Sequence, residues 1–122
     1  MESPYKGKTG LIRLKNALLY SFDGLRAAYA CEDAFRQEVW LAIVLIPSAI
    51  LWPVSGIGRA LMIGSVLLVL IVELLNSAVE AAIDRIGLEN HRLSKRAKDI
   101  GSAGVLIALI NVAIIWSSVL FF

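Results

Sequence analysis

The sequence has almost none of the residues that build disulfide scaffolds or thiolate metal sites. Cys31 is its single cysteine, which permits neither an intrachain disulfide nor a metal site made of thiolates. The segment "GKTG" at residues 7–10 is not the end of a P-loop, because that motif needs glycine at the position of Glu2. The glycine-rich loop, H-R-D and D-F-G motifs of protein kinases are missing too. These absences exclude disulfide-stabilised scaffolds, thiolate metal centres and the familiar nucleotide-binding motifs.

Charge is also missing, from two long segments. "VWLAIVLIPSAILWPVSGIG" (residues 39–58) and "IGSAGVLIALINVAIIWSSVLFF" (residues 100–122) contain no charged residue. Each is long enough to cross about 30 Å of hydrocarbon as a helix of roughly 20 residues. The whole chain is 58% hydrophobic, compared with about 45–50% in soluble domains. The sequence therefore predicts an all-α membrane protein.

A third span is predicted between these two. Residues 60–72 are free of charge but too short to cross alone, so the helix must continue through Glu73 and Glu80. We expect one membrane domain covering residues 1–122, without internal repeats. Its predicted parts are a surface helix at about 8–30 and spans at about 33–54, 58–87 and 96–120.

Basic residues predict the orientation. They are frequent before the first span and between the second and third, whereas Arg59 is the only one in the turn at residues 53–59. Because basic residues favour the cytoplasmic side, we expect the N-terminus and the loop around residues 86–97 to be cytoplasmic. The turn at 53–59 and the C-terminus would then face outward.

The segment "TGLIRLKNALLYSFDGLRAAY" predicts an amphipathic helix. Its apolar residues recur at helical spacing, and they are Leu11, Leu14, Leu18, Phe22 and Leu25. Such a helix lies in the membrane surface with basic side chains reaching to headgroups. Packing of the apolar stripe on the helical bundle is the alternative, and the two are compatible.

Polar residues follow one face of the second span. At about 100° per residue, Asn76 lies about 60° from Glu73, and Glu80 and Asp84 return to within about 20° of it. Ser77 belongs to the same stripe. Ionisable groups in a span are unfavourable in lipid and usually mark a functional path. They therefore need polar partners, which the basic and acidic residues of the cytoplasmic side can supply.

Three functions are compatible with this stripe. Carboxylates collected at one level suit Mg²⁺, which takes one or two carboxylates together with substrate phosphates. Transfer of a phosphoryl group from a nucleotide to a lipid would need such a site at the membrane surface. A proton or ion pathway and a structural polar network between subunits are the alternatives.

Four segments carry a resemblance to a known family. "GLRAAY", "AFRQE", "IVELLNSAVEAAIDRIG" and "RAKDIGSAGVLIA", in this order and at these spacings, resemble the small integral-membrane diacylglycerol kinases of Gram-negative bacteria. The resemblance covers roughly residues 10–116. It implies an inner-membrane homotrimer of three-span subunits with active sites between neighbouring subunits, ATP as co-substrate, Mg²⁺, diacylglycerol as acceptor and no nucleic-acid partner.

The resemblance also implies residue roles. Glu73 would be the general base that takes the proton from the lipid hydroxyl, and Glu32 and Glu80 would hold the divalent ion. The implied nucleotide contacts are Arg13, Tyr20, Glu32, Asn76, Glu80, Glu89, His91, Lys98 and Asp99. The implied lipid contacts are Ser21, Arg26, Arg36, Gln37, Glu38, Glu73 and Ser102.

Structural roles compete with several of these assignments. Asp84 and Arg85 can complete a helix end, Arg36 can serve as an ion-pair partner, and His91 can be a solvated loop residue. Gly101, Gly104 and Ala108 offer a small-residue face for close helix packing. Undecaprenol kinase, which shares the catalytic plan, is the nearest alternative activity, and a small proton or cation transporter is a more distant one.

Overall fold

The computed structural model describes residues 9–87 and 91–122. Within these ranges the chain forms four helices and no strand: α1 (Gly10–Cys31), α2 (Asp33–Leu51), α3 (Gly56–Ile86) and α4 (Arg92–Phe121). The predicted all-α class is confirmed. α2, α3 and α4 are each long and apolar enough to cross a membrane.

A single residue, Glu32, separates α1 from α2. The Glu32 N–H makes the last hydrogen bond of α1, to the Ala28 carbonyl at 2.9 Å, and the extended backbone of Glu32 (φ −117°, ψ 109°) ends the helix. Arg36 then donates to the carbonyls of Tyr29 (2.7 Å) and Ala30 (3.0 Å). The last carbonyls of a helix have no partner within it, so the Arg36 guanidinium stabilises a sharp corner between the two helices.

The turn between α2 and α3 is held by a cap and by an arginine. The Ser55 hydroxyl accepts a hydrogen bond from the Gly58 N–H at 3.0 Å, as an N-cap does. Arg59 donates to the carbonyls of Ala49 and Trp52, each at 3.1 Å. Arg59, the one basic residue of this turn, thus satisfies carbonyls at the end of α2.

α3 packs against both α2 and α4 and supplies most of the buried residues. Those of α3 are Gly58, Met62, Ser65, Val66, Val69, Glu73 and Asn76. The Trp116 indole N–H donates to the Met62 carbonyl at 3.2 Å, which ties α4 to α3. Glu73 and Asn76 are therefore held inside the packed helices rather than on the lipid-facing surface.

Small residues allow α4 to approach α3 closely, as the sequence predicted. Ala108 is buried. A side chain at Gly101 would overlap the Asn76 amide, and one at Gly104 would contact Val72 at 3.6 Å. The close approach at Gly101 brings α4 directly against the polar stripe of α3.

The apolar stripe of α1 is left uncovered by the chain's own helices. Leu11, Leu14 and Leu18 are 84%, 67% and 58% exposed, and Ala28 is the buried residue of this helix. Among the residues that the structure describes, α1 therefore packs on the other helices through its C-terminal half. This arrangement favours a helix lying in the membrane surface over a stripe packed on the chain's own bundle.

α4 begins at Arg92, so the loop after α3 is shorter than the predicted segment of 86–97. The ring nitrogen Nδ1 of His91 accepts a hydrogen bond from the Leu93 N–H at 3.0 Å and caps the helix. The following residues, "RLSKRAK", are mostly good helix formers. The helix therefore extends beyond the apolar run from which the span was predicted.

Candidate active site

Glu73 lies at the centre of the candidate site. Its side chain is on the buried face of α3 and only 4% of the residue is exposed. Asn76, one turn further along, is 9% exposed, and its amide donates to a carboxylate oxygen of Glu80 at 3.5 Å. The polar face predicted for this helix is thus turned inward, where α4 passes close by at Gly101.

Two further carboxylates approach Glu73 from outside α3. Glu32, at the corner between α1 and α2, and Glu38, on α2, both lie within electrostatic range of Glu73, as does Glu80. We call Glu32, Glu38, Glu73 and Glu80 the acidic cluster. Placing like charges together away from water is unfavourable unless a proton or a cation compensates them. The cluster is therefore suited to accepting a proton or binding a cation.

Buried polar atoms without hydrogen-bond partners lie in and beside the cluster. Within the described ranges, Glu38 Oε2, Asn76 Oδ1 and Ser77 Oγ are buried without a hydrogen-bond partner. Buried polar atoms are nearly always hydrogen-bonded in folded proteins. These three oxygens are therefore candidate contacts for a ligand.

The oxygen-rich character of the cluster fits a hard divalent cation. No group of three or more His, Cys, Asp or Glu side chains stands at metal-ligating distance in residues 9–87 and 91–122. Mg²⁺ usually takes only one or two carboxylates and completes its shell with water and phosphate oxygens. Glu32 and Glu80 are donors of this kind, whereas the Asn76 oxygen lies against Gly101 of α4.

A lysine side chain lies at the C-terminal end of the polar stripe. Lys98 of α4 donates to a carboxylate oxygen of Asp84 at 2.9 Å, and it lies within electrostatic range of Glu80. Asp84, which sequence analysis assigned to the helix end together with Arg85, therefore has its ion-pair partner on α4. The pair is about half exposed, so Lys98 is accessible to a ligand arriving from water.

A groove of about 590 Å³ runs between α1 and α3. Its walls are mostly apolar and include Leu25 and Leu74, while Ser21, Glu32 and Ser77 supply its polar groups. This combination is typical of sites that accept a molecule with one polar and one apolar end. The groove brings Ser21, an implied lipid contact, to the same surface as Glu32.

Four other implied contacts are exposed on the surface of the single chain. Arg13 and Tyr20 are exposed on the N-terminal part of α1, and Gln37 and Ser102 are exposed on α2 and α4. Glu89 lies outside the described residues.

Four implied contacts are engaged in local interactions. Arg26 forms an exposed ion pair with Asp23 at 3.7 Å, and Asp99 accepts from Lys95 at 2.7 Å. Arg36 bonds the end of α1 and also Asp33, while His91 caps α4. The roles of these residues toward substrates stay predictions.

One feature near the site has no signal in the sequence. Glu38 forms part of the wall of a second cavity, of about 210 Å³, whose other lining residues are apolar. They come from α2, α3 and α4 and include Leu41, Val69 and Leu109. No local pattern predicts this space, because it depends on how three helices pack.

Comparison with known proteins identifies one family. The family model for prokaryotic diacylglycerol kinase matches residues 19–120. The diacylglycerol kinase of Pseudomonas aeruginosa is 56% identical over 118 residues, which cover 97% of this chain and 96% of that protein. Those of Haemophilus influenzae and Escherichia coli are each 54% identical, over 93% and 88% of this chain and 97% and 88% of their own lengths. The chain belongs to the prokaryotic diacylglycerol kinase family.

Proposed function

We propose that this chain transfers the γ-phosphoryl group of ATP to the primary hydroxyl of diacylglycerol and so produces phosphatidic acid at the membrane surface. Membership of the family supports the reaction. The observation that carries the assignment to this site is the burial of Glu73 on the membrane-spanning helix α3, with the carboxylates of Glu32, Glu38 and Glu80 in electrostatic range. Glu73 forms no ion pair with any residue in 9–87 or 91–122, and a buried carboxylate of this kind is a strong candidate for a proton acceptor.

Glu73 acts on the acceptor. Its carboxylate accepts the proton of the lipid hydroxyl, and the hydroxyl oxygen forms a bond to the γ-phosphorus. The bond between that phosphorus and the oxygen bridging it to the β-phosphorus breaks, and ADP leaves. Among the acids of α3, Glu73 is the deepest along the helix, where a hydroxyl carried by a lipid in the adjacent leaflet would arrive.

Glu80 and Glu32 would hold a divalent cation, which we take to be Mg²⁺. When bound, the cation offsets the negative charge of the phosphate oxygens. Asn76 keeps Glu80 oriented through its amide hydrogen bond, while Lys98 binds a phosphate of ATP from the water-exposed side. Phosphoryl transfer depends mainly on such positioning and charge neutralisation.

The complete site needs more than one copy of the chain. Arg13 and Tyr20, both implied in ATP binding, are exposed on a helix that leaves the bundle. On α3, a separate face of apolar residues is open, including Ile71 at 52% and Leu75 at 64% exposure. These observations support a homotrimer in which α3 helices face each other and α1 helices reach neighbouring sites.

The distribution of basic residues supports placement in the bacterial inner membrane. The N-terminus and the link between α3 and α4 would lie in the cytoplasm, where ATP is available, and the C-terminus in the periplasm. Protease protection of C-terminal tags in spheroplasts and inverted vesicles tests this orientation.

Substitution Glu73→Gln tests the proton acceptor. It preserves size and hydrogen bonding, and we expect a folded, assembled protein whose transfer of radiolabelled phosphate from ATP to lipid falls about 10²- to 10⁴-fold. Asp23→Asn, which neutralises an exposed acid of α1, is the matched control and should retain the parent rate. Transfer by Glu73→Gln at the parent rate would remove Glu73 from this role.

The acceptor is tested separately. Purified protein in lipid, supplied with ATP and Mg²⁺, should phosphorylate diacylglycerol in preference to undecaprenol when both are offered at equal concentration. Equal or faster phosphorylation of undecaprenol would contradict diacylglycerol as the preferred acceptor while leaving the catalytic residues in place.

A further inference from the structure

A basic hollow lies on an exposed face of α4, apart from the acidic cluster. It measures about 430 Å³, is formed by one helix face, and is lined by Arg92, Lys95, Arg96, Asp99, Ile100 and Ala103. Lys95 is paired with Asp99 at 2.7 Å. Within the described parts of the chain, neither Arg92 nor Arg96 takes part in an ion pair. The hollow thus presents an excess of positive charge.

An apolar track continues this hollow along the same face of α4. Taking Arg96 as reference, Ile100, Ile107 and Ile114 all fall within about 40° of it at 100° per residue. These three isoleucines are 65%, 67% and 58% exposed. The rise from Ile100 to Ile114 is about 21 Å, enough to cross one leaflet of a bilayer whose hydrocarbon region is about 30 Å thick. We call this surface, from Arg92 to Ile114, the α4 outer face.

The order of charge and apolar surface matches one kind of ligand. A soluble phosphate would need only the basic hollow, whereas a phospholipid with an anionic headgroup would use both the hollow and the track. Juxtamembrane basic residues attract anionic lipids with about 1 kcal/mol per residue. Because α4 is itself apolar enough to span the bilayer, the hollow would lie at headgroup level while the track faces acyl chains.

We propose that the α4 outer face binds an anionic phospholipid of the surrounding membrane, with Arg92 and Arg96 contacting the headgroup phosphate and the isoleucines contacting an acyl chain. This lipid is bound outside the acidic cluster and is not the substrate. The hollow shares Asp99 with the implied nucleotide contacts, but binding of this lipid requires neither ATP nor Glu73.

Lipid titration of the assembled protein in detergent tests the proposal, with bound lipids counted by native mass spectrometry. The probe is phosphatidylglycerol, with phosphatidylcholine as the uncharged comparison, in the absence of ATP. We expect Arg92→Gln/Arg96→Gln to weaken phosphatidylglycerol binding about 30-fold. Lys15→Gln/Arg85→Gln removes the same charge from exposed positions elsewhere and should change it less than about threefold.

Several outcomes would overturn the proposal. They are equal losses in the two double variants, equal binding of the two lipids by the parent, displacement of the lipid by inorganic phosphate, and a change in subunit number caused by the arginine variant. The last would indicate that another copy of the chain covers this face. If the double variant does not assemble, Arg92→Gln alone decides, with an expected loss of about fivefold.

Discussion

Substitution Gly101→Ala tests whether the close approach of α4 to α3 positions Asn76 for catalysis. An alanine Cβ at residue 101 would overlap the Asn76 oxygen and come within 3.0 Å of its amide carbon. The Asn76 amide must therefore rotate, and its hydrogen bond to Glu80, already 3.5 Å long, breaks. We expect the rate of lipid phosphorylation to fall about 10- to 100-fold, the range that small misplacements in an active site produce.

The expected change in the free energy of unfolding is small. Overpacking costs about 1–3 kcal/mol, while replacing glycine by alanine within a helix returns about 1 kcal/mol. Gly101→Ala should therefore lower the free energy of unfolding by about 0–2 kcal/mol. Gly104→Ala is the matched control, because its Cβ would meet Val72 at an ordinary 3.6 Å. It should keep full activity and be at least as stable as the parent.

A double variant identifies the cause. With Asn76→Ala already present, the nearest remaining atom of residue 76 to the new Cβ is its own Cβ, at 3.8 Å. Adding Gly101→Ala should then no longer destabilise the protein, so the two effects on stability are not additive. The assays are thermal unfolding in detergent and initial rates of phosphate transfer at a temperature where all variants are folded. If Gly101→Ala matches Gly104→Ala in both rate and stability, the proposed contact does not position Asn76.

Three further substitutions test the remaining contacts. Arg59→Gln removes hydrogen bonds to the end of α2 and should lower the free energy of unfolding by about 1–3 kcal/mol. The kinase rate at low temperature should be unchanged. An unaltered melting temperature would contradict the capping role. Trp116→Phe removes one interhelical hydrogen bond and should lower the free energy of unfolding by about 0.5–1.5 kcal/mol in thermal denaturation. An effect no larger than that of Trp40→Phe, at an exposed position, would argue against the bond. Lys98→Ala should raise KM for ATP about tenfold or more. Asp84→Ala breaks the same ion pair but should change KM for ATP less than about threefold. Equal effects of the two variants would mean that Lys98 acts only through the pair.

The fold could be predicted from the sequence because its signals are local. Long uncharged runs identify the spans, and the 100° step between residues places Glu73 and Asn76 on one face. That face had to avoid lipid, and the structure buries both residues. The small residues of α4 likewise predicted close packing, which Gly101 and Ala108 confirm.

The parts of the site that join different helices could not be predicted in this way. The approach of Glu38 to Glu73 and the pairing of Lys98 with Asp84 depend on the relative rotation and depth of two helices. Nothing in the local spacing of residues specifies either quantity. The helix cap formed by His91 was missed for a different reason, because the apolar run used to predict the third span begins after the true start of α4.

The one-residue corner at Glu32 has a mechanical consequence. The bonds from Arg36 on α2 to the last carbonyls of α1 cross this corner, so they hold the angle between the two helices. That angle sets the width of the groove between α1 and α3, which the C-terminal half of α1 lines. Glu32 lies at the corner itself, so the width of the groove and the position of one carboxylate of the acidic cluster depend on the same contacts.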